Sequence, residues 1–272
     1  MDLEERFDYL KTKIHFTGNQ LKVIAMVCMF IDHVGYCLFP NIIWFRVIGR
    51  VAFPIFAFLI AEGAFYTKSP VKYMLRLLLF ALISEIPFDL MTAPYNWHAM
   101  TALKAYRFGS VEVLSIAGPF AECFIGYQNV MWTLLLGCIC ANAAYKSKNL
   151  LFVLVTFFVC VFAAGYMSVD YGAYGVVFVF VCAMMRKQKG LMEIALFLLI
   201  FMYCSLYMFW QPSSPFTYAR FGEMISVVLI LFYTGERGTT WELGRFAYWF
   251  YPLHISVIVA AYFLLRNVFA IG

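Results

Sequence analysis

One apolar run carrying two ionisable residues sets the terms on which this chain can fold. From Lys22 to Phe39 the sequence is apolar except at its first residue and at Asp32 and His33 in its second half. A helix rises about 1.5 Å per residue, so a run of this length crosses most of a bilayer core about 30 Å thick. A charge near the middle of such a helix costs about 2.5 to 3.5 kcal/mol on insertion scales. Asp32 and His33 therefore need partners, and a task.

The rest of the chain follows the same rule. Its 272 residues are 64% hydrophobic and 13% charged, against about 25% charged in an ordinary soluble domain. An integral membrane protein is implied. The formal charge of +5 does not point to a nucleic-acid partner, because the Lys and Arg residues sit in short clusters between apolar runs, as membrane topology requires. No cleavable signal peptide is expected, since the first apolar run is too long for one. The eight cysteines contain no Cys-x-x-Cys pair, so they read as small buried hydrophobes, and no metal or disulfide framework is expected.

Hydropathy predicts an all-α, polytopic bundle of about nine spans, near 21–39, 42–66, 73–92, 129–145, 149–166, 171–185, 191–209, 221–234 and 246–265. A cytoplasmic N-terminus places fourteen Lys and Arg residues inside and four outside, Lys104, Arg107, Arg220 and Arg266, with Arg46 and Arg50 within a span. That bias fixes the orientation. Residues 1–272 form one membrane domain, in which 93–128 is an outer surface or re-entrant segment broken up by Gly109, Gly118, Pro119 and Gly126.

Polar residues inside the spans concentrate on the outer side. Asp32, His33, Arg46, Arg50, Glu85, Asp89, Asn129 and Asp170 come from five separated segments, and each is costly in lipid without a partner. They predict one outward-opening polar cavity, with Tyr171 at its rim and His254 as its floor. Arg46 and Arg50, four apart, share a face, as do Glu85 and Asp89. Pro87 lies between those carboxylates and should kink the helix. Asp32 is expected to pair with Arg50. Successive helical side chains project about 100° apart, so Glu85 or Asp89 suits the imidazole of His33 better than Asp32 does. Simpler readings stand beside these: ion pairs that lock helices, an N-cap for Asp170, interfacial anchoring for Tyr171, packing for His254. No nucleophile elbow, phosphate-binding loop or dinucleotide fingerprint is present.

The blocks Phe30-Ile-Asp-His-Val-Gly35, Val47-Ile-Gly-Arg50, Ala61-Glu-Gly63, Ser84-Glu-Ile-Pro-Phe-Asp89, Gln128-Asn-Val130, Asp170-Tyr-Gly-Ala-Tyr-Gly175 and Phe250-Tyr-Pro-Leu-His254 together resemble the TraX family of bacterial membrane proteins, in order over nearly the whole chain. That family is named for the enzyme that acetylates the N-terminus of F pilin. The resemblance implies a multi-pass inner-membrane acyltransferase using acetyl-CoA or another acyl-CoA as co-substrate. His33, Asp32, Arg50, Glu85 and Asp89 would form its catalytic set. Glu62, Lys68, Lys72, Arg76, Arg237 and Arg245 would receive the donor, and Arg46, Asn129, Asp170, Tyr171 and His254 would line the acceptor side. The acceptor, a protein N-terminus, glycan, lipid or small molecule, is left open, as is a homo-oligomer. A transporter or flippase for an ion or anionic headgroup, or a scaffold in an envelope assembly, uses the same polar residues differently.

Overall fold

The computed structural model describes residues 9, 13–92, 127–212, 215–238 and 243–269. The expected surface segment therefore lies outside the described residues up to 126, as do Arg6, Lys11, Lys104 and Arg107. The regular elements among the described residues are all helices, without a strand. In order they form α1 (Gly18–Leu38), α2 (Ile43–Gly49), α3 (Ala52–Tyr66), α4 (Pro70–Thr92), α5 (Val130–Lys146), α6 (Leu150–Tyr166), α7 (Gly172–Met184), α8 (Lys189–Trp210), α9 (Pro215–Ala219), a 3₁₀ turn (Arg220–Gly222), α10 (Glu223–Leu231) and α11 (Leu243–Phe269). Packing divides the chain into two compact units: Met1–Leu59 with Met184–Ala247, and Ile60–Ala183 with Tyr248–Gly272.

Nine spans reduce to four. Among the described residues, Gly18–Leu38, Ile43–Tyr66, Lys189–Trp210 and Leu243–Leu265 are long and apolar enough to cross a bilayer. The helices α5, α6 and α7 have 17, 17 and 13 residues, short of the roughly 20 a span needs. Helix α4 has the length, at 23 residues, but carries Lys72, Arg76, Glu85 and Asp89. The run at 221–234 is divided between the 3₁₀ turn and nine-residue α10. Within the second span a turn at Arg50 and Val51 separates α2 from α3.

In the first unit, α1 begins with a capping box: Thr17 Oγ1 accepts from Gln20 N–H, and the Thr17 amide donates to Gln20 Oε1 at 2.8 Å. The next two amides, left over at any helix start, are met by distant backbone. Gly18 N–H donates to Glu236 O at 2.8 Å and Asn19 N–H to Arg237 O at 2.9 Å. Helix α2 packs on α1 and on the α9 and 3₁₀ segment, which also lies against α8. That second contact depends on Gly222, because a Cβ there would collide with the Val47 carbonyl oxygen.

In the second unit, α5 packs against both α4 and α6. Cys140, Cys160, Ala164, Val169 and Val176 form a buried apolar cluster there. The opposite face of α6 is outward and apolar: Leu151, Phe158 and Phe162 are 70%, 64% and 74% exposed. An apolar exterior of this extent suits lipid rather than water.

Gly222→Ala should cost about 1–3 kcal/mol by overpacking, read as a lower thermal midpoint in detergent micelles. Gly18→Ala, whose added Cβ would meet its neighbours only at 3.6–3.7 Å, should leave the midpoint unchanged.

Candidate functional site

The expected polar residues fall into two groups, one in each unit. Asp32, His33, Arg46 and Arg50 belong to the first; Glu62, Glu85, Asp89, Asn129, Asp170, Tyr171 and His254 belong to the second.

In the first unit the guanidinium that holds Asp32 comes from Arg46, not from the expected Arg50. Arg46 Nη1 lies 2.6 Å from Asp32 Oδ2, and the two side chains are 13% and 14% exposed. The same nitrogen reaches the Asp32 carbonyl at 3.4 Å, and the guanidinium sits 5.2 Å from the Tyr36 ring centroid. Spacing alone makes positions 46 and 50 equivalent. The choice is made where α2 crosses α1: Asp32 packs directly onto Gly49, with no room for a side chain between them. His33 is half-buried on α1.

Arg50 is the C-cap of α2, and its charge is felt at Cys204 of α8 together with those of Arg220 and Glu223. Sequence reasoning counted Arg220 only among the outer charges and passed over Glu223. Glu223 is fully buried. Arg220 lies 4.0 Å from its carboxylate, donates to Tyr203 Oη at 3.0 Å and stacks 4.0 Å from the Tyr207 ring centroid. The available signal was an Arg and a Glu three apart at the start of an apolar run, which places both on one helical face.

In the second unit the polar residues converge on Glu85, which is 2% exposed. Its Oε2 accepts from Asn129 Nδ2 and from Trp132 Nε1, the latter at 3.0 Å. Its Oε1 has no hydrogen-bond partner among the described residues. Asn129 also caps α5, through Oδ1 accepting from Met131 N–H at 3.0 Å, and donates to the Ala81 carbonyl at 2.8 Å. A single asparagine thus serves a helix start, a carboxylate and a neighbouring helix. Trp132 is the partner that sequence reasoning missed.

Asp170 stands close by. The Gln128 carbonyl accepts from Asp170 N–H at 2.8 Å, while Gln128 N–H donates to Ser168 O at 3.2 Å. Asp170 Oδ1 accepts from Tyr127 Oη and from Tyr171 N–H at 3.0 Å, and Thr133 Oγ1 donates to the Asp170 carbonyl. The carboxylate therefore orders the turn before α7 by binding the next residue's amide. Ser168 and Tyr171 take φ of 50° and 62° there, a region that non-glycine residues hold only when their surroundings insist. Buried Tyr251 of α11 comes near both Glu85 and Asp170, with its hydroxyl at the Val130 amide.

His254 is 5% exposed; its Nδ1 lies 2.6 Å from the Phe250 carbonyl, and its ring stacks on Phe250 at 4.6 Å. Nδ1 therefore carries a proton and donates along its own helix. Glu62 is buried, whereas Lys68, Lys72 and Arg76 of the second unit and Arg237 and Arg245 of the first are exposed.

Asn129→Ala removes a cap and a donor to a buried carboxylate, so it should destabilise by about 2 kcal/mol or more. Thr17→Ala, which removes only a cap, should cost about 1 kcal/mol. Chemical unfolding of both variants in micelles checks the order.

Comparison with known proteins adds the ancestry. The chain is 27% identical over 266 residues to the probable fimbrial assembly protein FimC, serogroup H1, of Dichelobacter nodosus, covering 94% of this chain and all of that protein. Over 66 residues it is 38% identical to the uncharacterized protein RP591 of Rickettsia prowazekii (strain Madrid E), covering 24% of this chain and 25% of that one. No solved structure matches. The family model described as TraX protein matches residues 17–261, and with its apolar helices this multi-pass membrane chain belongs to the TraX family.

Proposed function

We propose that the chain is a bacterial inner-membrane acyltransferase that moves an acyl group, first of all acetyl, from acyl-CoA to an amine or hydroxyl acceptor at the outer side. Family membership supports the reaction class. The observation that carries the reading is the state of Glu85: a buried carboxylate with one oxygen fixed by two donors and the other without a partner among the described residues. A carboxylate held in this way is prepared to accept a proton or to orient a group that does, without reorganising during reaction.

Bound acyl-CoA would supply an activated thioester carbonyl. The base takes the proton of the acceptor N–H or O–H as that atom attacks the carbonyl, the new C–N or C–O bond forms, the C–S bond breaks, and the base returns the proton to the sulfur, which leaves as the thiol. His33 is the imidazole for the first step, and Glu85 and Asp89 are the carboxylates of the second unit. Arg50 is the cation for the developing oxyanion. Asp32 acts through Arg46, to which it is paired. The exposed Lys68, Lys72, Arg76, Arg237 and Arg245 would meet the donor's phosphates, with Glu62 beside its arm. Arg46, Asn129, Asp170, Tyr171 and His254 remain on the acceptor side.

The name of the FimC relative, a probable fimbrial assembly protein, favours a second reading in which the chain serves an envelope assembly without catalysing transfer. The two are separated by incubating the purified chain with radiolabelled acetyl-CoA and peptide or glycan acceptors. Label should reach an acceptor with wild type, and His33→Ala and Glu85→Gln should each reduce the rate by about 10²- to 10⁴-fold at an unchanged thermal midpoint. Transfer that persists in both variants overturns these roles. Ion or lipid flux without thioester turnover would place the chain among transporters.

A further inference from the structure

The second unit holds a further polar cluster, built from α3, α4, α5 and α11, of which the proposed function has used only Arg76, as a contact for the donor's phosphates. At its centre is Tyr73. Its hydroxyl fills the space that a side chain at position 63 would need, since a Cβ on Gly63 would come within 2.6 Å of Tyr73 Oη. The hydroxyls of Tyr73 and Tyr248 are hydrogen-bonded to each other. Tyr248 is in turn stacked on Phe80 at 5.2 Å.

On one side of this pair stands Arg76, 6.0 Å from the Tyr73 ring centroid. Its Nε–H donates to the Lys72 carbonyl at 3.2 Å, which steadies the guanidinium of an exposed side chain. Among the described residues no carboxylate is paired with it. On the other side Cys138 of α5 lies beside both tyrosines. Asn142, one turn further on, donates Nδ2–H to the Cys138 carbonyl at 2.8 Å and to its Sγ at 3.3 Å.

Those contacts fix the amide, because reversing it would set Oδ1 against the Cys138 carbonyl. Oδ1 is then an acceptor on a side chain only 7% exposed, with no hydrogen-bond partner among the described residues. Buried amide oxygens are normally satisfied, so this one calls for a donor. A cation at the surface beside Tyr73, and an unmet acceptor on the side chain bonded to Cys138, which neighbours both tyrosines, ask for a ligand with complementary groups.

We infer that Arg76, Tyr73, Tyr248 and Asn142 form a binding site for a phosphorylated ligand whose chain contains a secondary amide, the amide N–H donating to Asn142 Oδ1 and the phosphate resting on Arg76. The acyl donor of the proposed reaction has this chemistry, with phosphates at one end and two secondary amides before its thioester. For the ligand's identity the inference rests on that reading.

Isothermal titration of the purified full chain in micelles with coenzyme A, pantetheine and adenosine 3′,5′-bisphosphate tests it without recourse to activity. Losing one hydrogen bond or one charge contact corresponds to about a tenfold change in affinity. Asn142→Leu should weaken coenzyme A and pantetheine by about that factor and leave the bisphosphate unchanged. Asn142→Asp, which keeps an acceptor oxygen, should recover part of the pantetheine affinity. Arg76→Gln, a surface change, should weaken coenzyme A and the bisphosphate and spare pantetheine. Wild-type affinity for coenzyme A in both Asn142→Leu and Arg76→Gln overturns this site while leaving the acyltransferase reading in place. A wild-type chain that binds none of the three probes overturns both.

Discussion

Asn129 meets three obligations at once in the second unit. An amide in a water-poor interior must find protein partners for both its ends, and this one finds them in three places. Its oxygen ends the series of unmatched amides at the start of α5; its nitrogen is shared between the Glu85 carboxylate and the Ala81 carbonyl. The register of α5 against α4 is fixed as a result, and with it the direction of the Glu85 side chain. Trp132, one turn into α5, reaches Glu85 only because that register is fixed. The arrangement of Asp170 depends on the same segment, since Tyr127, Gln128 and Thr133 all bond to it.

The first unit solves the same problem with a different pair. Asp32 and Arg46 neutralise one another between α1 and α2, and the close fit at Gly49 keeps them together. Pairs of this kind contribute little net stability against an apolar alternative, yet are costly to break one partner at a time. Their value lies in specifying how two short helices meet.

Much of this could be read from the sequence. The all-helical character and the start of a helix at Asn129 both follow from hydropathy. The number of spans did not. A hydropathy window sums the transfer preferences of its residues and cannot see a chain turn such as that at Arg50 and Val51, or the 3₁₀ turn that shortens the run at 221–234. Nor does periodicity choose between Arg46 and Arg50 for Asp32, because the crossing point of two helices is set by tertiary contact. Arg220 and Glu223 escaped for a related reason. Read as a loop charge and a span residue, they acquire meaning only once α8 supplies Tyr203, Tyr207 and Cys204 around them.

The start of α1 carries a consequence for the order in which the chain can be completed. Gly18 and Asn19 donate their amides to the carbonyls of Glu236 and Arg237, and the Phe16 carbonyl accepts from Thr234, 218 residues away. A nascent chain grows from its N-terminus at roughly 5–20 residues per second. The first helix is therefore made some tens of seconds before the segment that closes over its end exists. Through that interval the capping box of Thr17 and Gln20 is the local device at hand for this helix start. The first unit is thus completed late in synthesis, begun by α1 and closed by the segment around Glu236 and Arg237.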